Sequence, residues 1–151
     1  MLTDYLTSDT QLFAHDVTGW REAIDLLTSP LIRSGAITTR YVDAITDSIA
    51  AGGVYIDLGF GIALAHSRPE NGVVRTALSS LRVSPPVLLN SDPAHPIDLF
   101  FCPAATDPQG HLATMKDLAA LLTNDELRTR LLDATTPAEA SAVIQEIGTQ
   151  E

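Results

Sequence analysis

The sequence predicts an α/β protein: a three-layer α/β/α sandwich with a mixed central sheet of four to five strands. Three observations carry that prediction. Helix-periodic segments fill residues 19–51, short apolar runs between turn residues fill 54–103, and helix-periodic segments return from 112 onward. Helices on both sides of a strand block imply a sheet covered on both faces. Hairpin-length links beside longer crossings make the sheet mixed. At 151 residues the chain reads as a single domain, 1–151. That length buries roughly 70% of the unfolded chain's surface.

In chain order, Gly19 to Ser34 carries Ile24, Leu27 and Leu31 at helical spacing, with Thr18 or Asp16 as its cap. Pro30 should kink that helix or end its regular part, because it has no N–H to give and crowds the preceding turn. Thr38 to Ala51 predicts a second helix, with Tyr41, Ile45 and Ile49 four apart and Gly52-Gly53 as the stop. The period then changes. Val54 to Ile56, Gly61 to Ala65, Ala77 to Val83 and Ile97 to Pro103 are short, mostly apolar and bounded by Gly, Pro, Asn and Asp, so they read as strands. The last is apolar on both faces and belongs at the sheet centre. Leu112 to Leu122 places Leu112, Met115, Leu118, Ala119 and Leu122 on one helical face. Thr123 to Glu126 and Thr136 to Glu139 both match the capping box, the second with Pro137 at the first helical position.

The composition, 45% hydrophobic and 19% charged, is that of an ordinary globular protein. No stretch approaches the ~20 apolar residues of a membrane helix. The first residues lack a basic region followed by an apolar run, so no signal peptide is expected. One cysteine, Cys102, excludes an internal disulfide framework and fits a reducing cytosol. The formal charge of −10 disfavours nucleic acid, whose binding rests on clustered Lys and Arg. Any anion handled by this chain must therefore be held by a few local groups.

Four histidines are present: His15, His66, His95 and His111. His15 and His95 read as solvated loop residues, and Cys102 as a small hydrophobe in a buried strand. His66 differs because a strand gives way to a loop there, followed by Ser67, Arg68 and a Pro-Glu-Asn-Gly turn. His111 stands in the first turn of an amphipathic helix that Asp107 can cap and Pro108 can open. Free N–H groups there, and the positive end of the helix dipole, would favour an anion. Both histidines follow strands expected to be neighbours, so their loops can share one rim of the sheet. Two imidazoles with Arg68 can bind a metal, run acid–base chemistry or pass a phosphoryl group. The metal reading lacks a third ligand at a recognisable spacing. Neither a Gly-x-Ser-x-Gly elbow nor a P-loop is present. Phosphoryl transfer needs only a neutral imidazole nucleophile and a few donors, which the composition permits without singling it out.

At these residues a family pattern emerges. Arg40-Tyr-Val-Asp-Ala-Ile, Tyr55 to Gly61, GIALAHSRPENGV, Pro96-Ile-Asp-Leu-Phe-Phe and Ala104-Ala-Thr-Asp-Pro-Gln-Gly-His-Leu resemble the mannitol/fructose-type enzyme IIA domains of the bacterial phosphoenolpyruvate-dependent sugar phosphotransferase system. The similarity runs from about Trp20 to Ile147 and looks closest to the ascorbate-type branch. It implies a cytoplasmic phosphotransferase with a phosphohistidine intermediate and no cofactor or metal. His66 would accept the phosphoryl group from the histidine-containing phosphocarrier protein HPr. It would then pass the group to a cysteine of enzyme IIB, which serves the membrane enzyme IIC. His111 would stabilise the phosphoryl group, with Arg68 and Ser67 as further contacts. Neither nucleic-acid binding nor direct membrane insertion is implied. The family's usual proline before the active histidine is Ala65 here, which either relaxes the loop or adds a donor to the phosphate site. Mannitol-type members carry an arginine where this chain has Ser48, and Arg68 can supply that charge. The same histidine pair also serves a second reading, a regulatory module whose His66 phosphorylation state controls a non-transport partner.

Overall fold

In the computed structural model, which describes residues 2–150, one open mixed sheet is built from five strands. Residues 1 and 151, the ends of the expected domain, lie outside the described residues. The strands are β1 (Gln11–His15), β2 (Asp57–Gly59), β3 (Ile62–Leu64), β4 (Ala77–Leu88) and β5 (Pro96–Ala104), in the order β1-β4-β5-β3-β2. β5 pairs antiparallel with β4 and parallel with β3, while β1 runs parallel to β4 and β2 antiparallel to β3. Helices α1 (Trp20–Arg33) and α2 (Thr39–Ala50) pack on one face. Helices α3 (Pro108–Leu122), α4 (Asp125–Asp133) and α5 (Pro137–Gln150) pack on the other. The three-layer sandwich expected from the sequence is the observed architecture.

β5 is central, and its side chains show why its run from Leu99 to Ala104 is apolar and buried. Phe100, Cys102 and Ala104 enter the core under α1 and α2, whereas Leu99 and Phe101 enter the core under α3, α4 and α5. Successive residues of a strand point to opposite faces, so a strand covered twice has no position left for water.

α1 buries Ile24, Leu27 and Leu31 against β4 and β5, each contributing about 1.5–3 kcal/mol of apolar transfer. Gly19 holds its N-cap position without a side-chain bond; Thr18 instead bonds Glu22 through its amide, at 2.9 Å, and through its hydroxyl. Pro30 lies inside the helix, which runs on to Arg33. The carbonyl that the proline cannot serve, that of Leu26, accepts the Ser29 hydroxyl at 2.8 Å. α2 stops where the sequence places its glycines. The Gly53 amide bonds Ser48 O at 2.8 Å and the Gly52 amide bonds Ile49 O at 3.0 Å, with Gly52 at φ 96°. That pair is the Schellman arrangement, in which the positive φ favours glycine.

Several elements differ from their sequence reading. β1 is an additional strand that puts His15 at its end. Val54–Ile56 forms a 3₁₀ turn, and the strand begins at Asp57 because Gly59, Phe60 and Gly61 take positive φ in succession to turn the hairpin. β4 extends to Leu88 through a register shift between Arg82 and Val87. α3 packs the expected Met115, Leu118 and Leu122 on the core together with Thr114 and Leu121, leaving Leu112 and Ala119 exposed. α4 is capped by Asn124, whose side chain accepts from the Leu127 amide at 3.1 Å. Thr123 closes α3 instead.

Candidate functional site

His66 follows β3 by two residues, and α3 carries His111 in its first turn after β5. Because β3 and β5 are parallel neighbours, paired as Ile62↔Leu99, Ala63↔Phe100 and Leu64↔Phe101, both connections leave the same end of the sheet. The two imidazoles have their centroids 6.2 Å apart and their planes tilted by 39°. No hydrogen bond joins them among the described residues. Both line one hollow of about 740 Å³, together with Tyr41, Ser48, Ser67, Arg68, Glu70, Asn71, Asp107 and others. His66 is half-buried and His111 exposed, so the hollow is open to solvent.

The His66 ring is oriented by its own strand. Its Nδ1 lies 2.8 Å from Leu64 O, a contact that requires the hydrogen on Nδ1 and leaves the Nε2 lone pair unengaged. Ala65, fully buried, donates its amide to Phe101 O at 2.8 Å, which carries the β3–β5 ladder one residue beyond Leu64. The N–H that a proline would lack thus neither relaxes the loop nor faces the hollow. It stiffens the residue on which His66 is mounted.

On the other side of His66, the Ser67 amide donates to the Tyr41 hydroxyl at 3.1 Å, and that hydroxyl lies 2.9 Å from Pro103 O and 3.2 Å from Ser67 O. Burial raises the Tyr41 phenol above its ordinary pKa, with the neighbouring Cys102 acting in the same direction, so it remains a neutral donor and acceptor. Burial also pushes the Cys102 thiol up to about 12. That is an inert core thiol, in keeping with its reading as a small hydrophobe. Asn71 donates its amide to the Ser67 hydroxyl oxygen at 2.8 Å, folding the turn after His66 back onto it. Gly72, at φ 135°, lets this turn press on α2, where any Cβ would collide with the Thr38 hydroxyl.

The start of α3 matches the sequence expectation in its cap and differs in its electrostatics. Asp107 is the N-cap and accepts the Gly110 amide at 2.6 Å, with Pro108 in the first turn. The His111 amide is used by Asp107 O at 3.1 Å. The His111 bond is the first regular bond of the helix, so of the first-turn donors expected to be free the Gly110 amide is engaged, and a carboxylate already occupies the positive end of the helix. Positive charge in the hollow comes from Arg68, which is exposed and forms no ion pair among the described residues. Ser48, the position where the resemblance expects an arginine in mannitol-type members, lines the same hollow as Arg68.

The other two histidines lie outside the residues lining this hollow. His15 is exposed at the end of β1. His95 is not simply solvated: its Nδ1 is 2.8 Å from Asp57 Oδ2, which ties the loop before β5 to the edge strand β2. Among the described residues, no group of three or more His, Cys, Asp or Glu side chains is arranged to hold a metal ion. Tyr41 and Asn71 escaped the sequence reading as site residues. Tyr41 was legible only as one of three buried positions on α2, although a phenol on a buried face always raises the question of its hydroxyl's partner.

The family model described as the phosphoenolpyruvate-dependent sugar phosphotransferase system, EIIA 2, matches residues 4–147. The match begins before Trp20, in keeping with Leu2 and Leu6 packing into the core under α3, α4 and α5. The mannitol-specific cryptic phosphotransferase enzyme IIA component of Escherichia coli is 30% identical over 143 residues, covering 95% of this chain and 97% of that protein. Its solution structure superposes with a TM-score of 0.87 at 29% identity, covering 96% of this chain and 98% of the other. The ascorbate-specific EIIA component of Escherichia coli is 33% identical over a shorter span, 61% of this chain and 60% of that protein. At 19% identity and a TM-score of 0.76, the mannitol enzyme IIA of Escherichia coli, solved in complex with phosphorylated enzyme IIB, shares the fold over 93% of this chain and 97% of its own. This chain belongs to the EIIA 2 family of the phosphoenolpyruvate-dependent sugar phosphotransferase system.

Proposed function

We propose that this protein is a cytoplasmic phosphocarrier that takes a phosphoryl group on His66 Nε2 from the phosphohistidine of HPr and passes it to a cysteine of enzyme IIB. The observation that carries the reading is the His66 ring, held through Nδ1 by Leu64 O and open at Nε2, with a second imidazole 6.2 Å away in the same hollow. In the first step the Nε2 lone pair attacks phosphorus. The donor's N–P bond breaks, and its electron pair returns to the donor imidazole. In the second step the IIB thiolate attacks the same phosphorus, forming S–P as the His66 N–P bond breaks. Nδ1 keeps its hydrogen on Leu64 O throughout.

Charge spreads over three phosphoryl oxygens in such a transfer, and preset donors around them lower its barrier. His111 and Arg68 supply two, and the Ser67 hydroxyl, already accepting from Asn71, has its own hydrogen to give. The fold neighbour solved with phosphorylated enzyme IIB is the precedent for the acceptor. Carbohydrate uptake of the ascorbate type, or a related type, follows the pattern around His66 and the ascorbate-specific relative.

Incubation with phosphoenolpyruvate, enzyme I and HPr should add one acid-labile phosphate, and His66→Gln should abolish the label. Full labelling of His66→Gln would overturn the assignment. A His66 phosphate that no IIB thiol removes would redirect the reading to a regulatory module.

A further inference from the structure

The Tyr41 hydroxyl is a single atom tied to both histidine-bearing connections. On one side it accepts the amide of Ser67, the residue after His66, at 3.1 Å. On the other it lies 2.9 Å from the carbonyl of Pro103, where β5 leads toward His111. A phenol has one proton to give, and the shorter contact marks Pro103 O as its acceptor. The ring is held by α2 in the core, only 1% exposed, so the hydroxyl cannot follow either loop outward. His66 is consequently pinned from both neighbours: Ala65 to β5 before it and Ser67 to Tyr41 after it.

We propose that Tyr41 is a positioning residue for the phosphoryl relay, its hydroxyl setting where the His66 connection stands relative to the His111 connection. This inference rests on the phosphocarrier reading above. Among the described residues the Tyr41 hydroxyl bonds neither imidazole; it acts through Ser67 and Pro103. Phosphoryl transfer gains most of its rate from geometry, and a displacement of about 1 Å can cost about 10²-fold.

Tyr41→Phe keeps the ring and removes the bridge. In single-turnover transfer from phosphorylated HPr, the half-saturating donor concentration should stay within about twofold of wild type. The transfer rate constant should fall by about 10²-fold. The ¹⁵N shifts of the His66 ring, read on the same sample, should move away from a pure Nδ1–H tautomer. A residue that served only the core would leave both the rate constant and the tautomer unchanged well below the melting temperature. If wild type labels on His66 and Tyr41→Phe transfers at the wild-type rate, the positioning role is overturned while the phosphocarrier reading stands. If wild type takes no label on His66, the reading itself fails. Should Tyr41→Phe not fold, amide exchange in the native protein decides: Ser67 protected like the β3 amides supports the bridge, and exchange at the rate of an open loop overturns it.

Discussion

At position 66 the imidazole is held by the peptide around it: Nδ1 on Leu64 O, the preceding amide on Phe101 O and the following amide on the Tyr41 hydroxyl. This is why a histidine at a strand end could be singled out from sequence while its mounting could not. The strand, the loop and the turn after it are local signals. The partners of the Tyr41 hydroxyl lie 26 and 62 residues away and exist only once α2, β3 and β5 have met. His111 was legible in the same way as His66, from Asp107 and Pro108 just before it. Its side chain is exposed and shares the hollow with His66, so it can be removed without disturbing the core. His111→Ala should leave phosphorylation of His66 largely intact and slow onward transfer to a IIB thiol by about 10²–10³-fold, the loss expected when one preset donor to a transferring group is deleted. Rapid-quench measurement of the two half-reactions checks this. Equal loss in both would mean that His111 is needed to receive the phosphoryl group as well.

Among the elements, β3 shows most directly how a local substitution is absorbed by the sheet. Only Ile62–Leu64 carries the strand assignment, yet the Ala65 amide adds a rung at 2.8 Å to Phe101 O. Ala65→Pro would delete that rung at a fully buried position. It should lower unfolding free energy by about 1–3 kcal/mol, the cost of leaving a buried carbonyl without its donor. Urea unfolding measures the loss, and no change in midpoint would show that the ladder ends at Leu64. The helices and β5 were readable because their period, caps and two-sided burial are written in consecutive residues. β1 was not, since a five-residue parallel edge strand shows little alternation and takes its register from β4, more than sixty residues on. The face of α3 was read in part: Met115, Leu118 and Leu122 pack on the core as their period requires, but the crossing of α3 over the sheet also turns Thr114 and Leu121 inward and leaves Leu112 and Ala119 exposed.

For the molecule as a whole, two cores on opposite faces of one sheet leave the ends of β3 and β5 as the place where loops meet solvent. The net charge of −10 gives no general attraction for a phosphoryl group, so binding depends on the few groups in the hollow. The core also fixes how stability responds to alkali. Cys102 is raised from 9.0 to about 12 by burial. Below about pH 9 both folded and unfolded chains hold the thiol proton and nothing is lost. Above it the unfolded chain releases the proton first, so stability falls toward about pH 12, by up to about 1.4 kcal/mol per pH unit from this group. Tyr41, raised from 10.0 chiefly by burial, adds a second loss at higher pH. Urea midpoints should therefore decline from pH 9 to 11, and Cys102→Ala should remove the part that begins near pH 9. A flat profile over that range would contradict a sealed thiol.

The central claim concerns one nitrogen, and ³¹P–¹⁵N correlation on the HPr-phosphorylated, ¹⁵N-labelled protein tests it most directly. The geometry predicts a single phosphorus coupled to Nε2 of His66, with Nδ1 still carrying its hydrogen. Coupling to Nδ1 of His66, or to either nitrogen of His111, would contradict it.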